Sequence, residues 1–421
     1  MLVFHVEDRQ RTYRIAMAVT NDLVTDRRVL RHAETLREAG YEVVLIGVSS
    51  SVKSTPNCSL LTTHYKKGWR FYLEFNVSLR RRLLELKPDA VWANDTDTLL
   101  GCWMAASKLR KPLVMDAHEL FPEVPEIQGK PFVKWVWRTI ERCLMPKCDA
   151  LLTVCDSIAA YYKEKYGVEM AVVRNLPACG GNLENPGNGF DKISKDFDGS
   201  NKSWKSKENL EDLKDFHNFA ERGGEEKMLL YQGKVNVGRG VDWAIDALEW
   251  LEDCRLVVAG DGDLLEEMKA YAKSKPWCDR IEFLGRMKPE EMETLTPKAD
   301  VGLVMLEDMG LSYHFALPNR IGDFVAAGVP MVVSDLPEMA AVVRKFGVGE
   351  VMYSSIAASR RSPYSKIGED FGRAQANALA EAVRKVLARG KENYYFAAAR
   401  EDMDWIKEKV KLINIAVNCK L

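Results

Sequence analysis

Short apolar segments alternate with amphipathic segments along most of this 421-residue chain, and this alternation limits the folds that the chain can adopt. In the first part of the chain the segments follow one another as strand-like 13–19, helical 26–39, strand-like 41–48, helical 77–86, strand-like 90–93, helical 98–109, strand-like 112–115, helical 131–144, strand-like 150–154, helical 157–166 and strand-like 171–173. Strands separated by helices in this way form parallel sheets with helices on both faces. We therefore predict that residues 1–178 form an α/β, Rossmann-like domain.

A polar stretch separates this series from a second one. Residues 179–226 are rich in Gly, Asn, Lys, Asp and Ser, which is typical of a linker or a surface insertion. Strand-like runs then recur from residue 228 to residue 333, so residues 227–390 are predicted to form a second Rossmann-like domain, followed by a helical pattern over 391–421. Doubly wound domains bind ligands beyond the carboxyl ends of their strands, which predicts one cleft between the two domains.

The composition excludes several classes of protein. The longest apolar run spans 394–399, far below the roughly 20 residues that cross a bilayer, and the first residues lack the apolar core of a signal peptide. Nine cysteines without a C-x-x-C pair indicate neither a disulfide framework nor a zinc site. The net charge of −1 argues against general binding to nucleic acid. These features predict a cytoplasmic protein.

A glycine-rich turn follows the strand predicted at 228–232. In the segment YQGKVNVGRG, Gly233 lets the backbone approach a ligand closely, and Lys234 and Arg239 can neutralise a diphosphate without a metal ion. The helix that follows offers backbone N–H donors. The segment is a candidate diphosphate-binding site, and the alternative is a plain glycine-rich connection with two solvated cations.

Two further strands end in residues that suit a nucleotide site. Gly260 and Gly262 of the segment VVAGDGD follow one strand and open a helix, but capping of that helix by Asp263 explains the pair equally well. Arg286, at the end of IEFLGR, faces either the cleft or the solvent. We take Gly260, Gly262 and Arg286 as candidates for binding a nucleotide.

A helix predicted to start at Pro318 and to stop at Gly328 carries a carboxylate in its interior. Asp323 is a poor helix former, so it needs a reason to point inward. A ribose diol, which a carboxylate can bind through two hydrogen bonds, is one such reason. The alternative is an exposed helix face.

Polar residues follow the first predicted strand of the chain. Asn21, Asp22, Asp26 and Arg27 are candidates to bind the hydroxyls or phosphates of a substrate. Asp26 can instead be only the N-cap of the next helix. Asp95 follows a later strand, at 90–93, and is a candidate for the same side of the cleft.

The segment MDAHELFPE places three ionisable side chains beyond an apolar strand. Asp116, His118 and Glu119 at such a strand end are difficult to explain by packing alone. Asp116 and Glu119 are candidates to bind a substrate on this side of the cleft, and His118 is a candidate catalytic residue. A histidine whose hydrogen bonds are satisfied within the structure is the alternative.

These segments, in this order and spacing, resemble the retaining nucleotide-sugar glycosyltransferases of the GT-B fold, specifically glycosyltransferase family 4 (group 1), over nearly the whole chain. The resemblance implies that the first domain binds an acceptor and that the second binds a nucleotide-diphosphate sugar. It also implies that the final helix crosses back to the first domain, where Trp405 resembles the family's aromatic anchor. No cofactor or metal ion is expected beyond this donor substrate.

The resemblance implies roles for single residues. The GK…RG loop resembles the family's diphosphate cradle, and FLGR resembles the lining of its nucleobase pocket. Pro318, Asn319 and Arg320 resemble the PNK of one branch, which lies beside the donor. Asp323 takes the position of the second motif glutamate, which binds the donor ribose. His118 resembles the family's histidine that contacts the donor sugar near the reacting carbon.

One position departs from the family's pattern. The family has a first motif glutamate eight residues before the second, and Phe315 occupies that position here, preceded by His314. His314 can substitute as a hydrogen-bond donor or be a surface histidine. The departure leaves the identity of the donor sugar open.

The expected activity is transfer of a sugar to a glycan, a lipid-linked acceptor or a small acceptor, with retention of the anomeric configuration. Lys234 and Arg239 would stabilise the departing diphosphate, one oxygen of which helps to remove the acceptor proton. Two alternatives are a nucleotide-sugar epimerase of the same fold and a catalytically silent binding subunit, to which Phe315 and Asp323 point. A dehydrogenase is disfavoured because no G-x-G-x-x-G follows the first strand.

Basic and aromatic residues recur together in the first domain, at 64–72, 80–82 and 130–138. Residues 1–178 contain 26 Lys and Arg against 21 Asp and Glu, a balance of +5. Such segments are typical of peripheral contact with an anionic membrane surface. The alternative is solvated helix faces with the aromatic rings in the core, since Trp135 and Trp137 cannot share one helix face.

Overall fold

The computed structural model describes residues 12–23, 26–48, 55, 57–178, 226–353 and 369–419. Within these residues the chain forms two parallel β-sheets, each packed between helices. The α/β architecture of two Rossmann-like domains that the sequence predicts is confirmed. The predicted linker lies outside the described residues except for residue 226, and the domain boundaries stay a prediction.

The first sheet contains, within the described residues, the strands β1 Arg14–Asp22, β2 Glu42–Val48, β3 Cys58–Leu60, β4 Ala90–Asn94, β5 Leu113–Ala117, β6 Ala150–Thr153 and β7 Ala171–Val172. Its helices are α1 Arg27–Glu38, α2 Gly68–Leu86, α3 Thr96–Leu109, α4 Pro131–Leu144 and α5 Asp156–Tyr166. The strand order is β3-β2-β1-β4-β5-β6-β7. Neighbouring residues of β1 belong to different cores, Ile15 to one and Ala16 to the other, because both faces of the sheet are covered.

The second sheet contains, in the same described ranges, the strands β8 Lys227–Gln232, β9 Cys254–Ala259, β10 Ile281–Gly285, β11 Val301–Val304, β12 Met331–Ser334 and β13 Gly349–Met352. The helices that follow β8 in the chain are α6 Val241–Ala247, α7 Leu265–Lys273, α8 Pro289–Leu295, α9 Leu311–His314, α10 Asn319–Ala327, α11 Pro337–Phe346, α12 Glu369–Arg389, α13 Ala397–Asp402 and α14 Trp405–Asn418. The strand order is β10-β9-β8-β11-β12-β13. The strand order reverses between β1 and β4 in the first sheet and between β8 and β11 in the second. A crevice opens where the strand order reverses in this way.

Short 3-10 helices complete the described secondary structure, at Phe121–Glu123, Pro125–Ile127, Met145–Lys147, Leu248–Trp250, Cys278–Arg280, Thr296–Lys298 and Lys391–Asn393. None of the helices in the described ranges is both long enough and apolar enough to cross a membrane.

Some observed elements differ from the predicted ones. Helix α2 begins at Gly68 and not at 77, because exposed Trp69 and Leu73 obscure the amphipathic pattern of its first turns. The predicted cap Asp263 is wrong: α7 begins two residues later, and the Asp263 N–H donates to Asn236 Oδ1 at 3.0 Å. The helical pattern of 391–421 divides into α13 and α14 after a 3-10 turn.

The last helix, α14, crosses back to the first domain, as predicted. Trp405 stacks on His32 of α1 with 5.6 Å between ring centroids, and Leu412 and Ala416 are buried in the core of the first domain. Glu408, fully buried, accepts hydrogen bonds from the backbone N–H (3.0 Å) and Nε (2.9 Å) of Arg174. A buried ion pair therefore fixes α14 beside the end of β7.

Apolar contacts also join the two domains beside the cleft. Leu311, Phe315 and Leu317 of the second domain pack against the core of the first. Phe315, at the position of the family's first motif glutamate, is thus part of an interdomain contact, and its carbonyl accepts from Cys155 Sγ at 3.3 Å. The motif acid is replaced here by apolar packing.

We expect Glu408→Ala to lower the free energy of unfolding by about 2 kcal/mol, because it removes two hydrogen bonds to the partly buried Arg174 and leaves it, among the described residues, with only Asp402 as an acidic partner. Urea unfolding followed by circular dichroism measures the change. Glu401→Ala, which removes an exposed carboxylate of the neighbouring helix, is the control and should change stability by less than about 0.5 kcal/mol. Equal effects of the two substitutions would contradict the proposed anchoring.

Candidate functional site

A cleft of about 630 Å³ lies between the two domains, at the point where both strand orders reverse. Residues of both domains line it: Asn21, Asp26, Arg27, Arg28, His118, Glu119, Val154, Ile158, Asn175, Leu176, Lys234, Arg239, Leu306, Ser312, Tyr313, Ala316, Leu317, Pro318, Asn319 and Met403. Most of these residues follow a strand, as expected for doubly wound sheets.

A buried ion pair forms the floor of the first domain's half of the cleft. Arg28 of α1 binds Asp116 through two hydrogen bonds, Nε–Oδ2 at 2.9 Å and Nη2–Oδ1 at 2.6 Å, and its third nitrogen donates to the Val173 carbonyl. The imidazole of His32 lies 3.2 Å from the same carboxylate. Asp116 is fully buried, yet the adjacent Arg28 holds its pKa well below the usual range despite the opposing effect of burial.

His118 is held between two carboxylates. Its Nδ1 lies 3.3 Å from Asp95 Oδ2, its Nε2 lies 3.5 Å from Asp116 Oδ2, and its backbone N–H donates to Asp95 Oδ1 at 2.7 Å. Burial alone would lower the pKa of His118, but the two carboxylates outweigh burial and raise this pKa to about 9. The raised pKa favours the imidazolium form of His118, and part of its ring reaches the cleft.

Asp95 has a strained backbone. Its φ of +63° and ψ of 166° are rare for any residue other than glycine, and it precedes the first residue of α3. Such strain costs of order 1–3 kcal/mol and persists only where the surroundings impose it. The hydrogen bond to the His118 backbone and the contact with its ring are interactions that offset this cost. The geometry makes Asp95 a support for His118.

Two predicted acceptor-binding residues therefore need correction. Asp95 and Asp116 are buried beneath His118 and do not line the cleft, because each is occupied by a cationic partner. Asp26 does line the cleft, and it also caps α1 by accepting from the Val29 N–H at 3.1 Å. Asn21, Arg27 and Glu119 line the cleft as well, while the side chain of Asp22 lies outside the described part of the structure.

The second domain contributes cations to the opposite wall. Lys234 follows β8 and pairs with Asp261 at 2.7 Å, with more than half of its side chain exposed. The Arg239 guanidinium lies over the Tyr313 ring, 4.8 Å from the centroid, which orients it at the cleft. Across the opening, Ser312 Oγ donates to Glu119 Oε2 at 3.3 Å and links the two walls.

The glycines of the GDG segment support the cation-bearing loop and do not line the cleft. A Cβ at Gly260 would fall on the carbonyl oxygen of Gly233, and one at Gly262 would fall on that of Val235. The close approach of the two loops explains both glycines. This packing role accounts for both glycines, and their contact with the donor stays a prediction.

Helix α10 presents its N-terminus to the cleft through Pro318 and Asn319. The guanidinium of Arg320, in contrast, is buried and donates to the carbonyls of Gln232 (3.0 Å) and Met305 (3.1 Å). These hydrogen bonds join the ends of β8 and β11, and the predicted contact of Arg320 with the donor stays a prediction.

Asp323 points inward from α10, as predicted. Its Oδ2 accepts from Gln232 Nε2 at 3.0 Å and lies 3.8 Å from Arg27 Nη1 of the first domain. Burial raises the pKa of this carboxyl, and Arg27 and Arg31 oppose the rise. Arg286 is exposed and is not among the residues that line the cleft, and His314 pairs with Asp308 at 3.0 Å.

Sequence reasoning missed several lining residues, among them Arg28, Asn175, Ser312 and Tyr313. A signal for Arg28 exists: it falls four residues before His32 on the buried side of α1, and a buried arginine requires an acidic partner. The other three lie in segments without a distinctive local pattern. Within the described ranges, no group of three or more His, Cys, Asp or Glu residues is arranged to hold a metal ion.

Two Rossmann-like domains that face each other across a cleft, with a C-terminal helix returning to the first, define the GT-B class. The family model described as Glycosyltransferase Family 4 matches residues 25–176, and the model described as Glycosyl transferases group 1 matches residues 226–358. The chain therefore belongs to the group 1 GT-B glycosyltransferases of family 4 type, which confirms the resemblance seen in the sequence.

Curated relatives and solved structures agree with this assignment. The chain is 28% identical over 245 residues to the GalNAc-α-(1→4)-GalNAc-α-(1→3)-diNAcBac-PP-undecaprenol α-1,4-N-acetyl-D-galactosaminyltransferase of Campylobacter jejuni, covering 57% of this chain and 55% of that protein. It is 26% identical over 161 residues to an uncharacterized glycosyltransferase of Methanocaldococcus jannaschii, covering 37% of this chain and 39% of that protein. The chain thus spans about half, or less, of the length of these relatives.

The fold is shared with sucrose-phosphate synthase of Thermosynechococcus elongatus, with a TM-score of 0.67 and 14% identity over 96% of this chain and 98% of that one. It is also shared with Anabaena HepE in complex with UDP-glucose, with a TM-score of 0.64 and 12% identity over 95% and 98% of the two chains. At this identity the likeness concerns the fold alone.

We expect Gly260→Ala to destabilise the protein by about 3 kcal/mol, because the new Cβ overlaps a backbone oxygen that cannot move without disturbing the loop of Lys234. Gly372→Ala on α12, where a Cβ meets no atom within 4 Å, is the matched control and should stabilise by about 0.5–1 kcal/mol. Urea unfolding measures both. A neutral effect of Gly260→Ala would show that the two loops do not pack as described.

We expect the buried His32 to lower the free energy of unfolding in acid. Burial lowers its pKa from 6.5 to about 4, so the unfolded chain takes up a proton that the folded protein excludes as pH falls through this window. Between pH 7 and pH 4.5, the free energy of unfolding of the wild type should fall by about 2 kcal/mol more than that of His32→Gln. Thermal unfolding at the two pH values measures the difference, and the exposed His64→Gln serves as control. Parallel losses in all three proteins would refute the prediction.

Proposed function

We propose that this protein transfers a sugar from a nucleotide-diphosphate sugar to a glycan, a lipid-linked acceptor or a small acceptor, with retention of the anomeric configuration. One observation carries the proposal: a single cleft brings Lys234 and Arg239 of the second domain opposite His118 and Glu119 of the first. Cations on one wall suit a diphosphate, and hydrogen-bonding groups on the other suit sugar hydroxyls.

The donor would lie against the second domain. Lys234 and Arg239 would neutralise the diphosphate without a metal ion, and the first backbone N–H groups of α10, beginning at Asn319, would face the same anion. The Asp323 carboxylate would accept hydrogen bonds from the ribose hydroxyls. Its present partner Arg27 lies 3.8 Å away, so this contact is easily exchanged.

His118 would contact the donor sugar beside the reacting carbon. Because its pKa is raised to about 9, the ring is an imidazolium at neutral pH and serves as a hydrogen-bond donor to a sugar hydroxyl. Asp95 and Asp116 fix the ring position and its charge. These two carboxylates are positioning residues, since they do not reach the cleft themselves.

Retention follows if acceptor and diphosphate occupy the same face of the sugar. The bond between the anomeric carbon and the diphosphate oxygen breaks, the acceptor oxygen forms the new bond on that face, and its proton passes to the departing diphosphate. The sugar is oxocarbenium-like between these events. Lys234 and Arg239 stabilise the charge that develops on the leaving group, which would supply most of the rate enhancement.

The relatives support the classes of substrate. The Campylobacter relative is named for an undecaprenol-linked glycan acceptor, and the HepE structure holds UDP-glucose. A nucleoside-diphosphate sugar as donor, with a carbohydrate acceptor on a polyprenol diphosphate, is therefore the first combination to examine.

We expect isothermal titration to show micromolar binding of one nucleotide among UDP, GDP and ADP, unchanged by EDTA. Lys234→Ala should weaken this binding about tenfold or more, because a charge-assisted hydrogen bond contributes about 1.5–3 kcal/mol. Lys269→Ala is the matched control, since Lys269 also pairs with a single carboxylate, Glu266 at 2.8 Å, on an exposed helix face away from the cleft.

Other outcomes separate the alternatives. Binding of none of the three nucleotides would refute the donor site and favour a silent binding subunit. Release of free sugar from the donor without an acceptor would favour an epimerase. If transfer occurs, nuclear magnetic resonance of the product reports the anomeric configuration, and an inverted product would refute retention.

A further inference from the structure

The first domain exposes large apolar side chains on two helices. On α2, Trp69, Leu73 and Val77 recur every four residues along one side, with Trp69 71% exposed. On α4, Phe132 and Trp135 are 73% and 62% exposed and stack on each other with 5.9 Å between ring centroids. We call these five residues the α2–α4 surface. Rings of this size are rarely left in water without a function.

The two helices contact each other through aromatic side chains at this end of the domain. Tyr72 of α2 packs edge to face against Trp137 of α4, with 5.1 Å between ring centroids, and both rings meet Phe121. Trp69 and Leu73 flank Tyr72 on α2, and Trp135 lies on the outer side of α4 opposite the buried Trp137. The exposed rings of both helices therefore belong to one end of the domain.

Cations surround the α2–α4 surface. Among the described residues, no carboxylate lies within 4.0 Å of the ammonium or guanidinium groups of Lys66, Lys67, Arg70, Lys130 and Arg142. The exposed acids nearest in the chain to α4 are Glu126, five residues before its start, and Asp149, five residues after its end. The positive charge is therefore not neutralised locally, in contrast to the paired cations elsewhere on the molecule.

Acidic side chains at this end are already engaged by the protein. Glu74 accepts from the backbone of His64 and Tyr65. Glu123 is buried and pairs with Lys134 and Arg138 of α4. The charge of Glu123 is therefore compensated by Lys134 and Arg138, and the five cations around the rings outnumber the remaining carboxylates Glu74 and Glu126.

The surface continues to the acceptor side of the cleft. His118 and Glu119 are followed directly by the 3-10 turns Phe121–Glu123 and Pro125–Ile127, whose side chains pack under Tyr72 and Trp137. A molecule bound at the α2–α4 surface is therefore separated from the cleft by this one segment.

We propose that the α2–α4 surface docks the protein on an anionic lipid bilayer, with its aromatic rings at the boundary of headgroups and acyl chains and its cations on lipid phosphates. Apolar rings bordered by uncompensated Lys and Arg are the chemistry of an interfacial protein. The inference rests on the proposed function, because docking in this orientation would bring the acceptor side of the cleft to a membrane that holds a lipid-linked acceptor.

The test is co-sedimentation of the full chain with vesicles of 30% phosphatidylglycerol and 70% phosphatidylcholine. We expect binding that is weakened at least tenfold in pure phosphatidylcholine and at high salt. Trp69→Glu combined with Trp135→Glu should weaken binding tenfold or more, and Arg70→Glu combined with Arg142→Glu should remove the dependence on phosphatidylglycerol. Tyr395→Glu, at a ring 78% exposed on the second domain, is the matched control and should bind as wild type.

Nucleotide titration on the same variants keeps the two proposals apart. Variants of the α2–α4 surface should bind nucleotide as the wild type does, which also shows that they are folded. Nucleotide binding without vesicle binding would overturn the membrane inference and leave the proposed function intact. Light scattering would detect self-association of the protein. If the protein self-associates instead of binding vesicles, and Trp135→Glu removes this self-association, the α2–α4 surface binds a second copy of the chain and the membrane inference is overturned.

Discussion

The buried pair of Arg28 and Asp116 is the interaction on which the first half of the site depends. It joins α1 to β5, and the remaining nitrogen of Arg28 reaches the backbone beyond β7. Through Asp116 it also fixes His118, and through His32 it meets Trp405 of the returning helix. Two charges in a dry interior are tolerated only when hydrogen bonds satisfy nearly all their polar atoms, so this arrangement allows little variation in geometry.

Different interactions hold the side chains of the two cleft walls in position. In the first domain, buried carboxylates lie behind a histidine and give it a fixed orientation and a positive charge. In the second domain, loops without side chains at Gly260 and Gly262 allow the backbone to pack tightly behind Lys234. One wall is therefore preorganised by charge and the other by close backbone packing, and both place hydrogen-bond donors at the cleft without requiring large rearrangement.

Contacts between the domains explain how the cleft is kept together. Phe315 packs where the family carries an acid, Ser312 reaches Glu119, and Arg27 faces Asp323. The contact of Phe315 is apolar, whereas Arg27 and Asp323 form an ion pair with 3.8 Å between nitrogen and oxygen. The loss of the motif acid at position 315 thus removes a polar group from the cleft and adds interdomain packing.

The sequence by itself determined the alternation of strands and helices, the two sheets, and the residues that follow the strands, because these depend on local periodicity and on glycine and proline signals. It correctly brought His118, Lys234, Arg239 and Asn319 to one cleft. Only the tertiary structure decided which neighbouring side chains point inward. Asp116 meets Arg28 across 88 residues, and Arg320 reaches a carbonyl equally far away in the chain. Such partners leave no local pattern, since the energy of a buried charge depends on groups that only folding brings together.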